Sequence, residues 1–261
     1  MAIINVTPDS FSGDGLVGRR DMALRQAEQA IADGADILDI GGESSRPGAE
    51  AVGLQEELDR VVPIVEAFAN AGVPLSVDTV KPQVMRAVAS AGAAIINDIN
   101  GLREPGAIEA VAATDVGVCL MHMQGEPRTM QSAPHYRDVV TEVRDFLCLR
   151  ADALKSAGVA TERILVDPGF GFGKALVHNL ALFADLSRLR DLGYPLLIGV
   201  SRKSMLGQIT GQPVAQRLAA SVAAAMLAVQ RGAAIVRVHD VAATRDAFAI
   251  MAAIQSHQQN S

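Results

Sequence analysis

Eight short apolar runs in the chain each lead into residues that could do chemistry. Asn5 opens NVTPDSF after the first run, and the second leads into GGESSRPGAE, residues 41–50. Asp78 follows the third, Asn97 and Asp98 close the fourth, and Met121 and His122 close the fifth in CLMHMQG. Asp167 opens DPGFGFGK, Gly199 begins GVSRKS, and Arg237, His239 and Asp240 lie in RVHD. Asp78, Asn97 and Asp167 are acceptors or mixed donor–acceptors, suited to the hydrogen-bonding edge of a flat heterocycle. Arg46, Lys203, Arg237 and His239 are cationic or switchable and suit an anion such as phosphate. Asn5 offers an amide oxygen that could join phosphate oxygens around Mg2+, an ion that keeps several waters and takes few protein ligands. Together these residues describe a site for a planar heterocycle bearing phosphate. No His/Cys/Asp group has zinc spacing.

Each residue also has an ordinary reading. A single Asp or Asn after a strand commonly forms a turn or caps a helix, and Asp78 and Asp98 could do only that. A single His in an apolar run, such as His122, is more often structural than catalytic. DPGFGFGK imitates a nucleotide motif without being one. Pro168 stands where a P-loop needs its first Gly, Ala175 follows Lys174 where Ser or Thr is required, and the glycine spacing misses GxGxxG. Its glycines are expected to let a mobile loop pass close to a ligand, with Phe170 or Phe172 as an apolar wall.

The elements that must position these residues follow from the pattern. The apolar runs at 2–6, 37–40, 75–77, 95–97, 116–121, 164–166, 196–200 and 235–238 are short, rich in β-branched residues and bounded by turn formers. They read as strands buried in a parallel sheet. Between them, residues 21–32, 54–70, 82–91, 138–157 and 215–230 have helical spacing. Gly34, Gly72, Gly92, Gly158, Gly193 and Gly232 precede strands, where a helix ends in a left-handed residue. Eight such units predict a single α/β domain over 1–261, a (β/α)8 TIM barrel, rather than a doubly wound sheet. Barrel sites stand at the C-terminal strand ends, where the polar residues converge. The helix at 215–231 is apolar nearly all round, which predicts a homodimer interface on that flank.

Composition narrows the class. The 261 residues are 49% hydrophobic and 20% charged, enough for a large core. A formal charge of −6 with 3% aromatics and no Trp argues against nucleic acid as a partner. Cys119 and Cys148 form no CxxC pair and read as core thiols in a reducing compartment. No apolar run is long enough to span a membrane, and the first residues lack a signal-peptide pattern, which predicts a cytoplasmic protein.

NVTPDSFS, GGESSRPGAE, SVDTVKP, INDI, CLMHMQG, DPGFGFGK, SRKS and RVHDV together resemble the dihydropteroate synthases, collinearly to about Val241. The resemblance implies a TIM barrel, a homodimer, Mg2+, and the joining of 4-aminobenzoate to 6-hydroxymethyl-7,8-dihydropterin diphosphate with release of diphosphate. It also implies inhibition by sulfonamides. By the same resemblance the pterin lies against Asp78, Asn97, Met121, Asp167, Gly199 and Lys203. Asn5, Arg237 and His239 form the anion pocket, with Asn5 toward the metal. Phe11, Arg46, Pro47, Phe172, Lys203 and Ser204 surround the aminobenzoate, and Ser45 is a further substrate-binding residue. The resemblance further implies a dissociative step, in which diphosphate leaves before the amine attacks, with electrostatic catalysis carried by Asp78, Lys203, Arg237 and His239. The lack of an obvious nucleophile and base pair suits it. Ser45 replaces a common Thr, Val80 replaces a common Ser, and SGDG moves the loop-1 acid to Asp14. The family usually carries an additional N-terminal hairpin under the barrel, and here the first strand begins at Ala2. Rival readings are a corrinoid methyltransferase barrel, a non-catalytic pterin-binding relative, and a Schiff-base aldolase using Lys203.

Overall fold

In a computed structural model, the chain forms one eight-stranded parallel sheet with strands in sequence order. The structure describes residues 1–6, 16–44, 50–127 and 129–259. The strands are β1 Ala2–Asn5, β2 Leu38–Gly41, β3 Leu75–Asp78, β4 Ile95–Asp98, β5 Gly117–Met121, β6 Ile164–Asp167, β7 Leu196–Ile198 and β8 Ala233–Val236. A parallel bridge between Ala2 and Val238 joins the last strand to the first, so the sheet closes into the expected barrel. The helices are α1 Leu16–Ala32, α2 Leu54–Phe68, α3 Pro82–Ala91, α4 Ala107–Ala112, α5 Val139–Ser156, α6 Leu176–Ala184, α7 Leu186–Arg190, α8 Ser204–Thr210, α9 Leu218–Gln230 and α10 Val241–Gln259.

Two apolar layers hold the barrel. Ile4, Leu38, Ile40, Val77, Ile96, Val118, Ile164 and Ile198 point outward, each fully buried under the helices. Inside, Cys119 and Leu197 pack with Met1 and with Ile37, Leu165 and Ile235 as a separate cluster. Because strand side chains alternate, the residues two positions further along face the same interior, nearer the C-terminal mouth. The six glycines expected to end helices all have positive φ, from +78° to +111°. Asp138 caps α5 by accepting from the backbone N–H of Val140 and Thr141, at 3.1 and 3.2 Å.

The structure corrects two element expectations. β8 begins at Ala233 and ends at Val236, earlier than the run at 235–238, so Arg237 and His239 stand just beyond the strand. The expected helix at 215–231 is split: a 3₁₀ turn over Val214–Gln216 precedes α9, which starts at Leu218. Cys119 is buried and Cys148 half-buried, and both are free thiols. Among the described residues, no helix is long and apolar enough to cross a membrane.

Candidate active site

The register of the sheet sets the site. Asn5 pairs with Gly41, Gly41 with Asp78, and Asp78 with Asn97, while Met121 pairs with Asp167. Asn5, Asp78, Asn97, Met121 and Asp167 therefore face the same mouth, with Gly199 and Arg237 completing the ring. Asp98 and His122, one position further on, point to the other face of the sheet. Phe11, Ser45, Arg46 and Pro47 lie outside the described residues.

Two charged centres occupy this mouth. In the first, Arg237 Nε donates to Asp39 Oδ2 at 2.5 Å and its terminal nitrogen to Asp78 Oδ2 at 3.3 Å. Asn97 Nδ2 donates to the same Asp39 oxygen at 3.3 Å. Burial pushes the Asp78 carboxyl up to about 7, against the opposing pull of Arg237, and Asp39 nearby raises it further. Burial disfavours the charge on Arg237, but Asp39 and Asp78 outweigh it and hold the guanidinium above its ordinary value.

The second centre holds Asp167 and Lys203. Burial raises the Asp167 carboxyl, with Lys203 opposing. Burial lowers the Lys203 amine to about 8, with Asp167 opposing and Arg237 adding to the fall. Lys203 Nζ donates to the Phe170 carbonyl and lies 4.5 Å from the centre of the Phe172 ring, a cation–π contact. Phe172 also packs with Met121, Met123 and Met130, which form a soft apolar patch. Gly199 separates the two centres: a Cβ there would sit 3.8 Å from Arg237 Cβ and 4.0 Å from Lys203 Nζ. A side chain at that position would crowd the space between the cations.

The remaining residues fall into place around this pair. His239 Nδ1 lies 3.0 Å from Ser201 Oγ, which also accepts from the His239 backbone N–H at 3.2 Å. Ser204 is exposed at the first residue of α8. A cleft of about 600 Å³ opens beside Asp78, lined by Glu43, Thr79, Ile99, Asn100, Arg103 and Met123 among others. Lys81 spans one wall, bonded to both Glu43 and Glu57. Asp98 takes the ordinary role: its two oxygens accept from the backbone N–H of Asn100 at 2.6 Å and of Leu102 at 2.9 Å.

The glycine-rich loop departs from expectation. Phe170 is fully buried in the core against Phe183 and is no wall for a ligand. Gly169 and Gly173 have φ of +68° and +61°. A Cβ on them would fall 2.0 Å from the His122 carbonyl oxygen and 2.3 Å from that of Gln124. These glycines let the loop after β6 press against the loop after β5, rather than against a ligand. Lys174, which the motif comparison set aside, pins the contact. Its Nζ donates to the carbonyls of Gly169, Phe172 and His122 at 2.9, 3.0 and 3.3 Å and lies 2.9 Å from His122 Nδ1. Burial, reinforced by the Lys174 charge, pushes the His122 imidazole down to about 2, so it stays neutral as a structural partner. Sequence reasoning missed Asp39 as well. Its one visible signal was a carboxylate in the middle of an apolar strand, ILDIGG.

The model of the family described as pterin binding enzyme matches residues 1–239. The chain belongs to the pterin-binding enzyme family. Within it the relatives are dihydropteroate synthases. That of Escherichia coli strain K12 is 50% identical over 261 residues, which cover 100% of this chain and 93% of the relative. The crystal structure of Burkholderia cenocepacia dihydropteroate synthase complexed with 7,8-dihydropteroate superposes with a TM-score of 0.91 at 58% identity, covering 100% of this chain and 92% of that one. The Yersinia pestis enzyme with a sulfonamide drug complex gives 0.93 at 52% identity, covering 98% and 93%. This pterin-binding barrel thus shares both fold and length with enzymes of one activity.

Proposed function

We propose that this chain is a dihydropteroate synthase, joining 6-hydroxymethyl-7,8-dihydropterin diphosphate to 4-aminobenzoate to give 7,8-dihydropteroate and diphosphate. The pairing of two charged centres across Gly199 carries the reading, because it supplies a place for an anion beside a place for a heterocycle. The bond from the pterin methylene to the diphosphate oxygen breaks, and a C–N bond to the aminobenzoate amine forms, with loss of an amine proton. We place bond breaking first. Asp78 and Asp167 are the carboxylates that would offset a cation on the pterin, and Arg237, with His239 nearby, would hold the departing diphosphate. Asp167 and Asn97 take the hydrogen-bonding edge of the ring, Met121 lies against its face, and Lys203 and Phe172 stand between the ring and the aminobenzoate.

Mg2+ fits at Asn5. The side chain is half-buried at the end of β1, and its Oδ1 would lie 3.6 Å from a Cβ on Gly41, a space the glycine leaves open. One protein oxygen beside phosphate oxygens and water is an ordinary Mg2+ environment, and the ion, when bound, supplies positive charge to the leaving diphosphate.

A homodimer is the second part of the reading, in a cytoplasmic setting. Leu218 and Leu227 on α9 are 46% and 44% exposed, and Ile250 and Ile254 on α10 are 63% and 56% exposed, so two adjacent helices present an apolar flank. Light scattering at micromolar concentration should give twice the chain mass.

The deciding assay is diphosphate release from the pterin diphosphate. Release that requires both Mg2+ and 4-aminobenzoate, and that a sulfonamide blocks, is the expected result. Borohydride trapping of a carbonyl substrate on Lys203, with no diphosphate released, would replace this reading by an aldolase.

A further inference from the structure

Asp39 sits in the middle of β2 with its side chain fully buried inside the barrel. A bare carboxylate there is costly to bury, and the structure compensates it with two site residues on a single oxygen. Arg237 Nε donates to Asp39 Oδ2 at 2.5 Å, and Asn97 Nδ2 donates to the same Oδ2 at 3.3 Å. The donors come from opposite sides of the barrel mouth, one just past β8 and one on β4. The guanidinium is planar, so committing Nε to Asp39 orients the whole fork and leaves its terminal nitrogens for Asp78 and for an anion. The amide of Asn97 is oriented likewise. With Nδ2 turned to Asp39, its oxygen remains to accept from a ligand, and Asn97 Oδ1 is buried without a hydrogen-bond partner among the described residues.

We propose that Asp39 is a positioning residue that sets the Arg237 guanidinium and the Asn97 amide together. One oxygen thereby ties the anion end of the site to the heterocycle edge. The inference rests on the dihydropteroate synthase reading, and its test separates the two. Asparagine at position 39 cannot replace the carboxylate, because the one oxygen it offers the two donors carries no full charge for Arg237.

Calorimetric titration with two probes, Mg2+–diphosphate and 6-hydroxymethylpterin, tests this on wild type, Asp39→Asn, Arg237→Gln and the double variant. Asp39→Asn should weaken both probes about tenfold, the order seen when a group orienting a binding residue is removed. The KM for pterin diphosphate should rise with it, while the KM for 4-aminobenzoate stays within about twofold. The double variant should bind diphosphate no more weakly than Arg237→Gln alone, because Asp39 acts through that arginine. Additive losses, or equal losses for both substrates, would overturn the proposal in favour of a purely structural role. If Asp39→Asn does not fold, Asp39→Ser, which keeps one acceptor in a smaller side chain, must show the same pattern. Wild-type protein that binds neither probe would sink the functional reading and this inference with it. Wild-type binding matched by the Asp39 variants would sink this inference alone.

Discussion

Arg237 and Lys203 are cations in the same barrel mouth, separated by Gly199, yet the protein treats their charges differently. Arg237 is held by two carboxylates in direct ion pairs, and its guanidinium is raised above its ordinary value despite burial. Lys203 donates to a backbone carbonyl and leans on an aromatic ring, and burial brings its amine down to about 8. A charge fixed by ion pairs suits the diphosphate, which gains a negative charge as the C–O bond breaks and so needs a cation that is always present. A charge close to titration suits the junction of pterin and aminobenzoate, where the reacting bond changes its polarity. The difference lies in partner chemistry rather than in burial, because both groups are withdrawn from water.

The largest test breaks the fixed-charge centre. Arg237→Gln leaves Asp39 and Asp78 facing each other without a cation. The loss of one partner from a buried pair costs about 3–5 kcal/mol, which is on the order of 10 °C in Tm for a chain of this size. Withdrawing positive charge from the leaving group should also lower kcat/KM by roughly 10³-fold. Lys203→Gln should cost far less stability, because its carbonyl and ring contacts involve no ion pair at bonding distance. Melting curves of the two variants check the contrast, and equal falls in Tm would erase it.

The same contrast separates what the amino-acid pattern revealed from what it concealed. Asn5, Asp78, Asn97, Met121, Asp167 and Gly199 were legible because each stands where an apolar run ends, and a closed parallel sheet brings those ends together. Asp39 was not, since it sits inside a run and its meaning depends on register with strands far along the chain. Lys174 and His122 were hidden for a similar reason. Their contact spans 52 positions, and only the packing of two loops turns a motif-like GFGFGK into a clamp. Helix ends were legible from their glycines, whereas the split before α9 was not, because Ala215, Gln216 and Arg217 include no turn former to mark a break from the alanine-rich stretch that follows.

The adjustable centre is sharpened by pH. Asp78 must be a carboxylate to offset pterin cation character, so activity should rise as pH climbs through about 7, where that group ionises. Lys203 must keep its proton, so activity should fall as pH climbs through about 8. A bell-shaped kcat/KM profile with those two limbs is the expected outcome, and the limbs belong to the site as a coupled whole. Lys203→Arg keeps a cation that holds its proton across this range. It should lower kcat/KM by roughly tenfold through altered geometry, in the range for a misplaced positioning group. Its alkaline limb should vanish while the acidic one remains. A surviving alkaline limb would assign that titration to another group and remove half of the contrast.

The smallest expected effect isolates the ring beneath Lys203. Phe172→Leu keeps an apolar side chain against Met121, Met123 and Met130 but removes the π face 4.5 Å from Nζ. A cation–π contact of this kind contributes about 0.5–1 kcal/mol to the charged amine, so its loss favours the neutral form. The alkaline limb should therefore move to lower pH, by about half a unit, since one unit corresponds to about 1.4 kcal/mol. The acidic limb should stay where it is, because Phe172 makes no contact with the Asp39–Arg237–Asp78 centre. If the two limbs shift together, the centres share one field, and Gly199 separates them in space without separating them in function.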